Sequence, residues 1–176
     1  MGTFKTIAMV LLLSVSVCAT AQTKKEKKIM KDALKAKKEL IRTDSGIEKF
    51  FTNSAGYVIF PNVGKGGFIV GAASGNGVLY EGGIPQGMAD LKKLDVGFQA
   101  GGQAVIEAIF FETKDDMLQF KEEKFQFSAD ISAVALKSGV SANAKYRNGV
   151  AVFTLPKSGL MAEVSVGGQK FGYDTF

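Results

Sequence analysis

Hydrophobic positions along this chain follow two periods, and the change from one to the other falls at Tyr57. From Lys24 to Arg42, Ile29, Ala33, Ala36 and Leu40 recur at the spacing of one helical stripe, and Met30, Leu34 and Ile41 widen it. Lys25, Lys28, Lys31, Lys35 and Lys38 flank that stripe, and Thr43-Asp44-Ser45-Gly46 punctuates its end. Asp44 or Ser45 then serves as the N-cap of a short second helix over Ile47–Thr52. From Tyr57 the texture is that of strands. Tyr57–Phe60 stops at Pro61-Asn62, and short strands follow around Phe68–Val70 and Val78–Tyr80. Ser74-Gly75-Asn76-Gly77 between them reads as a hairpin turn, because Asn-Gly tolerates positive φ. Leu94–Phe111 is a long strand-like stretch, with a bend at Gly101-Gly102. Thr113–Lys121 reads as a helix capped by Thr113, with Met117, Leu118 and Phe120 facing inward. Phe125–Ala133 alternates as a half-buried strand, and Asn148-Gly149 starts a hairpin whose second arm is Val150–Leu155. Pro156–Gly159 turns the chain into a last strand, Leu160–Val166.

Successive hairpins without regular strand–helix–strand alternation predict an α+β domain. It has an N-terminal amphipathic helix, then an antiparallel sheet or partly closed barrel of hairpins with one or two short helices. Gly101-Gly102-Gln103 and Gly167-Gly168-Gln169 each follow a Val-rich strand, an echo that reads as two similar bends in one sheet.

The first residues change the picture of where the chain works. Lys5 precedes an apolar run from Ile7 to Val17, and Ala19-Thr20-Ala21 supplies the small residues of a signal-peptidase site. Residues 1–21 are therefore expected to be a cleaved signal peptide and 22–176 a single domain, exported to the periplasm or the envelope surface. Cys18 raises lipoprotein processing as the alternative, but Val17 is not the small residue that this chemistry wants before the cysteine. Cleavage after Ala21 leaves 155 of the 176 residues and no cysteine, enough for one ordinary core without disulfides.

Charge is unevenly placed. The net +5 resolves into Lys5 alone over 1–21, nine basic and three acidic residues over 22–43, and twelve basic against fourteen acidic residues from Asp44 onward. A basic helix on a nearly neutral body points to one face that meets something anionic. Lys24, Lys25, Lys27, Lys28, Lys31, Lys35 and Lys38, with Lys65 from a glycine-rich turn, are the candidate contacts. Two compatible readings of the helix stand. In one its stripe packs on the body and its lysines are solvated; in the other the lysines lie on headgroups.

Catalytic and cofactor chemistry find little support. The sequence holds no histidine, which removes imidazole bases and histidine metal ligands. Asp115-Asp116 and Glu122-Glu123 read as solvated surface among lysines. No catalytic residue, metal site or cofactor is expected. Asn62-Val63-Gly64-Lys65-Gly66-Gly67 lacks the spacing of a phosphate loop. Nine of the chain's 21 glycines fall between Gly64 and Gly87, and at least one of Gly64, Gly66 and Gly67 is expected at positive φ. Nucleic acid is not an expected partner, because the basic residues lack interleaved aromatics.

Two blocks carry a resemblance. FFTNSAGYVIFPNVGKGGFIVGAASGNGVLYEGG, Phe50–Gly83, resembles the opening block of the SYLF domain, and VGFQAGGQAVIEAIFF, Val96–Phe111, is similar to that family's second block. The resemblance covers roughly Leu34–Lys170. It implies lipid binding: eukaryotic members bind phosphoinositides, some also bundle actin, and membrane contact is associated with a basic N-terminal segment. Export makes actin an improbable ligand here and favours other anionic phospholipids. The leading expectation is non-catalytic binding to an anionic phospholipid surface, and the alternative is an interaction or scaffold module that meets an envelope protein.

Overall fold

A computed structural model of the chain describes residues 22–64, 72–94, 104–122, 132–157, 166 and 168–176. In order, the elements are α1 (Lys24–Thr43), a 3₁₀ turn (Ser45–Ile47), α2 (Glu48–Asn53), β1 (Gly56–Val63), β2 (Ala72–Glu81), β3 (Ile84–Leu94) and β4 (Val105–Phe111). Then come α3 (Lys114–Lys121), β5 (Val134–Ala135), a second 3₁₀ turn (Ser141–Asn143), β6 (Val150–Pro156) and β7 (Gln169–Thr175). Residues 1–21, Lys65, Gly66, Gly67, the strand around Phe68–Val70, the bend at Gly101-Gly102 and most of the strands expected over 125–133 and 160–166 lie outside the described residues.

The seven strands form one sheet in the order β5-β6-β4-β1-β2-β3-β7. Five neighbouring pairs are antiparallel, but β5 runs parallel to β6, with Val134 beside Phe153 and Ala135 beside Thr154. The sheet is thus mixed, not purely antiparallel, and it is open, with β5 and β7 as its edges. β5 breaks the pattern because it reaches β6 through a connection of fourteen residues, with its own 3₁₀ turn, and not through a tight hairpin.

Alternate residues of the central strands enter two separate cores. Val58, Phe60, Val63, Ile109 and Phe111 point to one side, where Met117 and Phe120 of α3 and Phe171 of β7 meet them. Tyr57, Ile59, Ile106, Ala108 and Phe110 point to the other, under Ala33, Ala36 and Leu40 of α1 and Phe50 of α2. Covering both faces explains why β4 reads VIEAIFF, a near-continuous apolar run with every residue buried. Each large side chain buried this way contributes about 1.5–3 kcal/mol. Glu107, in the middle of β4, is fully buried all the same, and its carboxylate accepts a 3.0 Å hydrogen bond from Gln169 at the start of β7.

Local signals set the helix ends. Thr23 caps α1 and Thr113 caps α3, and each forms a reciprocal capping box, with Glu26 and Asp116 respectively. Asp44 ends α1 and starts the 3₁₀ turn. Its buried carboxylate also accepts from Gly46 N–H at 3.1 Å and from Ser141 N–H at 2.8 Å, pinning the α1–α2 corner to the distant 3₁₀ turn. Burial would push this carboxyl up, but these backbone N–H groups outweigh it and hold its pKa below the ordinary value.

Several expectations are corrected. Ser74-Gly75-Asn76-Gly77 is not a turn but the middle of β2, paired residue by residue with Lys92, Leu91, Asp90 and Ala89 of β3. The turn sits at Gly82-Gly83, with φ of 56° and 82°. Gly75 and Gly77 instead serve close approach: a Cβ on Gly77 would lie 2.6 Å from both the Ile59 carbonyl oxygen and the Phe60 ring. Of the three glycines expected to include a positive φ, Gly64 does not have one and bridges Ser74, while Gly66 and Gly67 lie outside the described residues. Leu34 and Leu118 do not face inward but are 54% and 48% exposed. Asn148 and Gly149 do turn with φ of 49° and 77°, but the ladder before them is a single bridge from Arg147 to Val150, not a full first arm. β6 finds its main partner in β4.

Candidate functional site

α1 lies across β1 and β2. Alanines at 33 and 36 let its backbone come close to the sheet, and Leu40 locks the C-terminal turn beneath it; all three are buried. That docking decides where the lysines go. Lys24, Lys25, Lys27, Lys28, Lys31, Lys35 and Lys38 are all exposed. Lys65 lies outside the described residues. Lys37 behaves differently. It is half-buried, donates a 2.9 Å hydrogen bond to the Tyr57 hydroxyl, and lies 4.5 Å and 4.9 Å above the Phe51 and Tyr57 rings. It belongs to the seam between helix and sheet, not to the outward charge.

The middle of α1 also forms one wall of a groove of about 490 Å³. Lys28, Asp32, Lys35 and Glu39 come from the helix, Pro61 and Asn62 from the end of β1, and Lys157 from just beyond β6, over a floor of Ala36 and Ile106. Lys28 pairs with Asp32 at 2.7 Å. This hydrogen-bonded ion pair, against a smaller upward push from burial, lowers the Asp32 pKa, and the fields of Lys35 and Lys157 act in the same direction. Lys157 donates to the Asn62 side-chain oxygen at 3.0 Å. Cations from two remote stretches thus converge over one acid. Sequence reasoning found Lys28 and Lys35 through the helical period but missed Lys157 and Asn62. Only the β1–β4–β6 pairing brings those two together, and no spacing signals it.

A second hollow of about 640 Å³ runs beside Val134, Tyr146, Val150 and Val152. Burial, with the Glu112 charge nearby, pushes the Tyr146 phenol up to about 12, so it stays neutral there. Among the described residues no group of three or more His, Cys, Asp or Glu could hold a metal ion, and no helix is long and apolar enough to cross a membrane.

Comparison with known proteins adds to this geometry. Residues 92–175 match the family model Ysc84, described as Las17-binding protein actin regulator. Beta cell expansion factor A from Aeromonas veronii is 27% identical over 86 residues, which is 48% of this chain and 33% of that protein. The chain thus spans about a third of that relative's length. Residues 92–175 thus match the Ysc84, or SYLF, family, the family that the two sequence blocks resemble.

Proposed function

We propose that this chain binds anionic phospholipid at a membrane surface, without catalysis, through the basic outer face of α1. One observation carries the reading: the apolar stripe of α1 is spent on the sheet while seven lysines stay exposed. A docked helix offers charge and not an insertion wedge, so the attraction is electrostatic, with each lysine near a strongly anionic surface worth about 1 kcal/mol. The leader-like residues 1–21 support a periplasmic or envelope setting. An exported chain does not meet actin filaments, so actin regulation is not proposed for it.

Cosedimentation with vesicles tests this reading. Binding should favour anionic over neutral vesicles and weaken with salt, because the Debye length falls from ~10 Å at 0.1 M to ~3 Å at 1 M. Reversing charge at Lys24, Lys27 and Lys31 should remove most of the binding while the thermal midpoint stays nearly fixed. Equal binding to neutral and anionic vesicles refutes the mechanism. Binding to neither favours the alternative, contact with an envelope protein.

A further inference from the structure

The groove beside α1 differs from the open lysine face in having two walls and a floor. Its helical wall is one stripe, Lys28, Asp32, Lys35 and Glu39, with steps of four, three and four that stack on a single face. Charges alternate along it, and ideal spacing would let both i,i+4 pairs close. Only the first does: Lys28 and Asp32 pair, whereas Lys35 and Glu39 form no ion pair among the described residues. Lys35 therefore faces the groove with its charge uncommitted. Opposite it, Asn62 uses its side-chain oxygen to accept from Lys157, so its amide N–H₂ is the group left to donate. The floor, Ala36 and Ile106, is buried and apolar.

We propose that this groove seats the phosphodiester of a single phospholipid headgroup between Lys35 and Lys157, with Asn62 as a further donor. The proposal rests on the membrane reading above and deepens it from a diffuse charged face to a discrete headgroup site. The volume, about 490 Å³, lies in the range of small-molecule sites. Glu39 at the far end of the stripe disfavours a second negative charge and accepts from a hydroxyl or ammonium. The groove thus selects a singly charged phosphodiester whose head carries a hydrogen-bond donor.

The experiment compares two sets of vesicles with matched surface charge, one carrying phosphatidylglycerol and the other a carboxylate lipid. Wild-type protein should prefer the phosphatidylglycerol vesicles. Lys157→Ala should lower that binding about tenfold, the size expected for one lost charge-assisted hydrogen bond, and leave carboxylate-vesicle binding unchanged. Lys157→Arg should keep the preference. Lys157 is exposed, so these variants should keep the wild-type thermal midpoint; Lys35→Gln, on the opposite wall, provides an independent variant. Equal loss on both vesicle types, or no loss on either, overturns the site. Inorganic phosphate should compete poorly; full displacement by inorganic phosphate alone would overturn the headgroup assignment in favour of a free-phosphate site. Failure here leaves the charge-reversal result at Lys24, Lys27 and Lys31 untouched, so the two readings fail separately.

Discussion

Gly77 of β2 and Gly64, just past the end of β1, should respond to the same substitution with opposite signs. At Gly77 of β2, an added Cβ lies 2.6 Å from the Ile59 carbonyl oxygen and 2.6 Å from the Phe60 ring. Neither can retreat: the carbonyl belongs to the central strand β1, and Phe60 is fully buried. Overpacking of this kind costs about 1–3 kcal/mol, from which the reduced freedom of the unfolded chain returns about 0.4–1 kcal/mol. At Gly64 the nearest atoms, those of Ala104, stand at 3.5 Å, ordinary contact, and φ is not positive. Only the unfolded-state gain applies there. Gly77→Ala should therefore destabilise by about 1–2 kcal/mol and Gly64→Ala should stabilise by up to about 1 kcal/mol. In a chain of this length each kcal/mol moves Tm by about 2–4 °C, so the two variants should separate by about 3–12 °C. Urea titration with an unchanged m value would show that both shifts are changes of stability and not of the compactness of either state. Equal shifts in the two variants would refute the idea that glycine is required at 77 for space and not for a turn.

Other perturbations follow from single contacts. Asp44→Ala should cost about 2–3 kcal/mol at neutral pH, since it strips partners from buried N–H groups. Because the folded pKa is depressed, that contribution is complete above the unfolded carboxylate value and disappears as pH falls through the folded one. Wild-type and variant stability curves should therefore converge in acid, and a constant gap down to full protonation would contradict the assignment. Lys37→Met should lower stability by about 1 kcal/mol through the lost Tyr57 and ring contacts, yet weaken vesicle binding less than Lys31→Met does. The reverse order would place Lys37 on the membrane-facing side.

What could be read from the sequence depended on how local the physics was. Thr113 and Asp44 as caps and Asn148-Gly149 as a turn act within a few residues of themselves, and each was legible, whereas the Asp44 contact with Ser141, 97 residues away, was not. The stripe from Ala33 to Leu40 was legible too, because a docked helix repeats its burial every turn. Asn76-Gly77 misled for a definable reason: glycine that fits a turn also fits a strand crowded by a carbonyl and a phenyl ring, and the letters do not distinguish the two. Leu34 looked like core because periodicity gives the angle around a helix but not the width of the surface it meets. Glu107 passed unremarked inside β4, because the Gln169 amide that satisfies it arrives from a strand 62 residues away. Lys157 was hidden likewise, joining Asn62 across 95 residues.

The order of strands has a consequence for how this fold can be cut and how it forms. The segment that matches the family, 92–175, supplies β4, β6 and β5 on one flank and β7 at the opposite edge, while β1, β2 and most of β3 stand between them. The matched segment is therefore not a transplantable module. Alone it would hold two groups of strands with no shared ladder, each presenting unpaired backbone to solvent. The intact sheet can only complete when β1 finds β4 and β3 finds β7, pairings that span long stretches of chain. Such high contact order favours slow, all-or-none assembly, in which the centre of the sheet comes from the part of the chain that the family match leaves out.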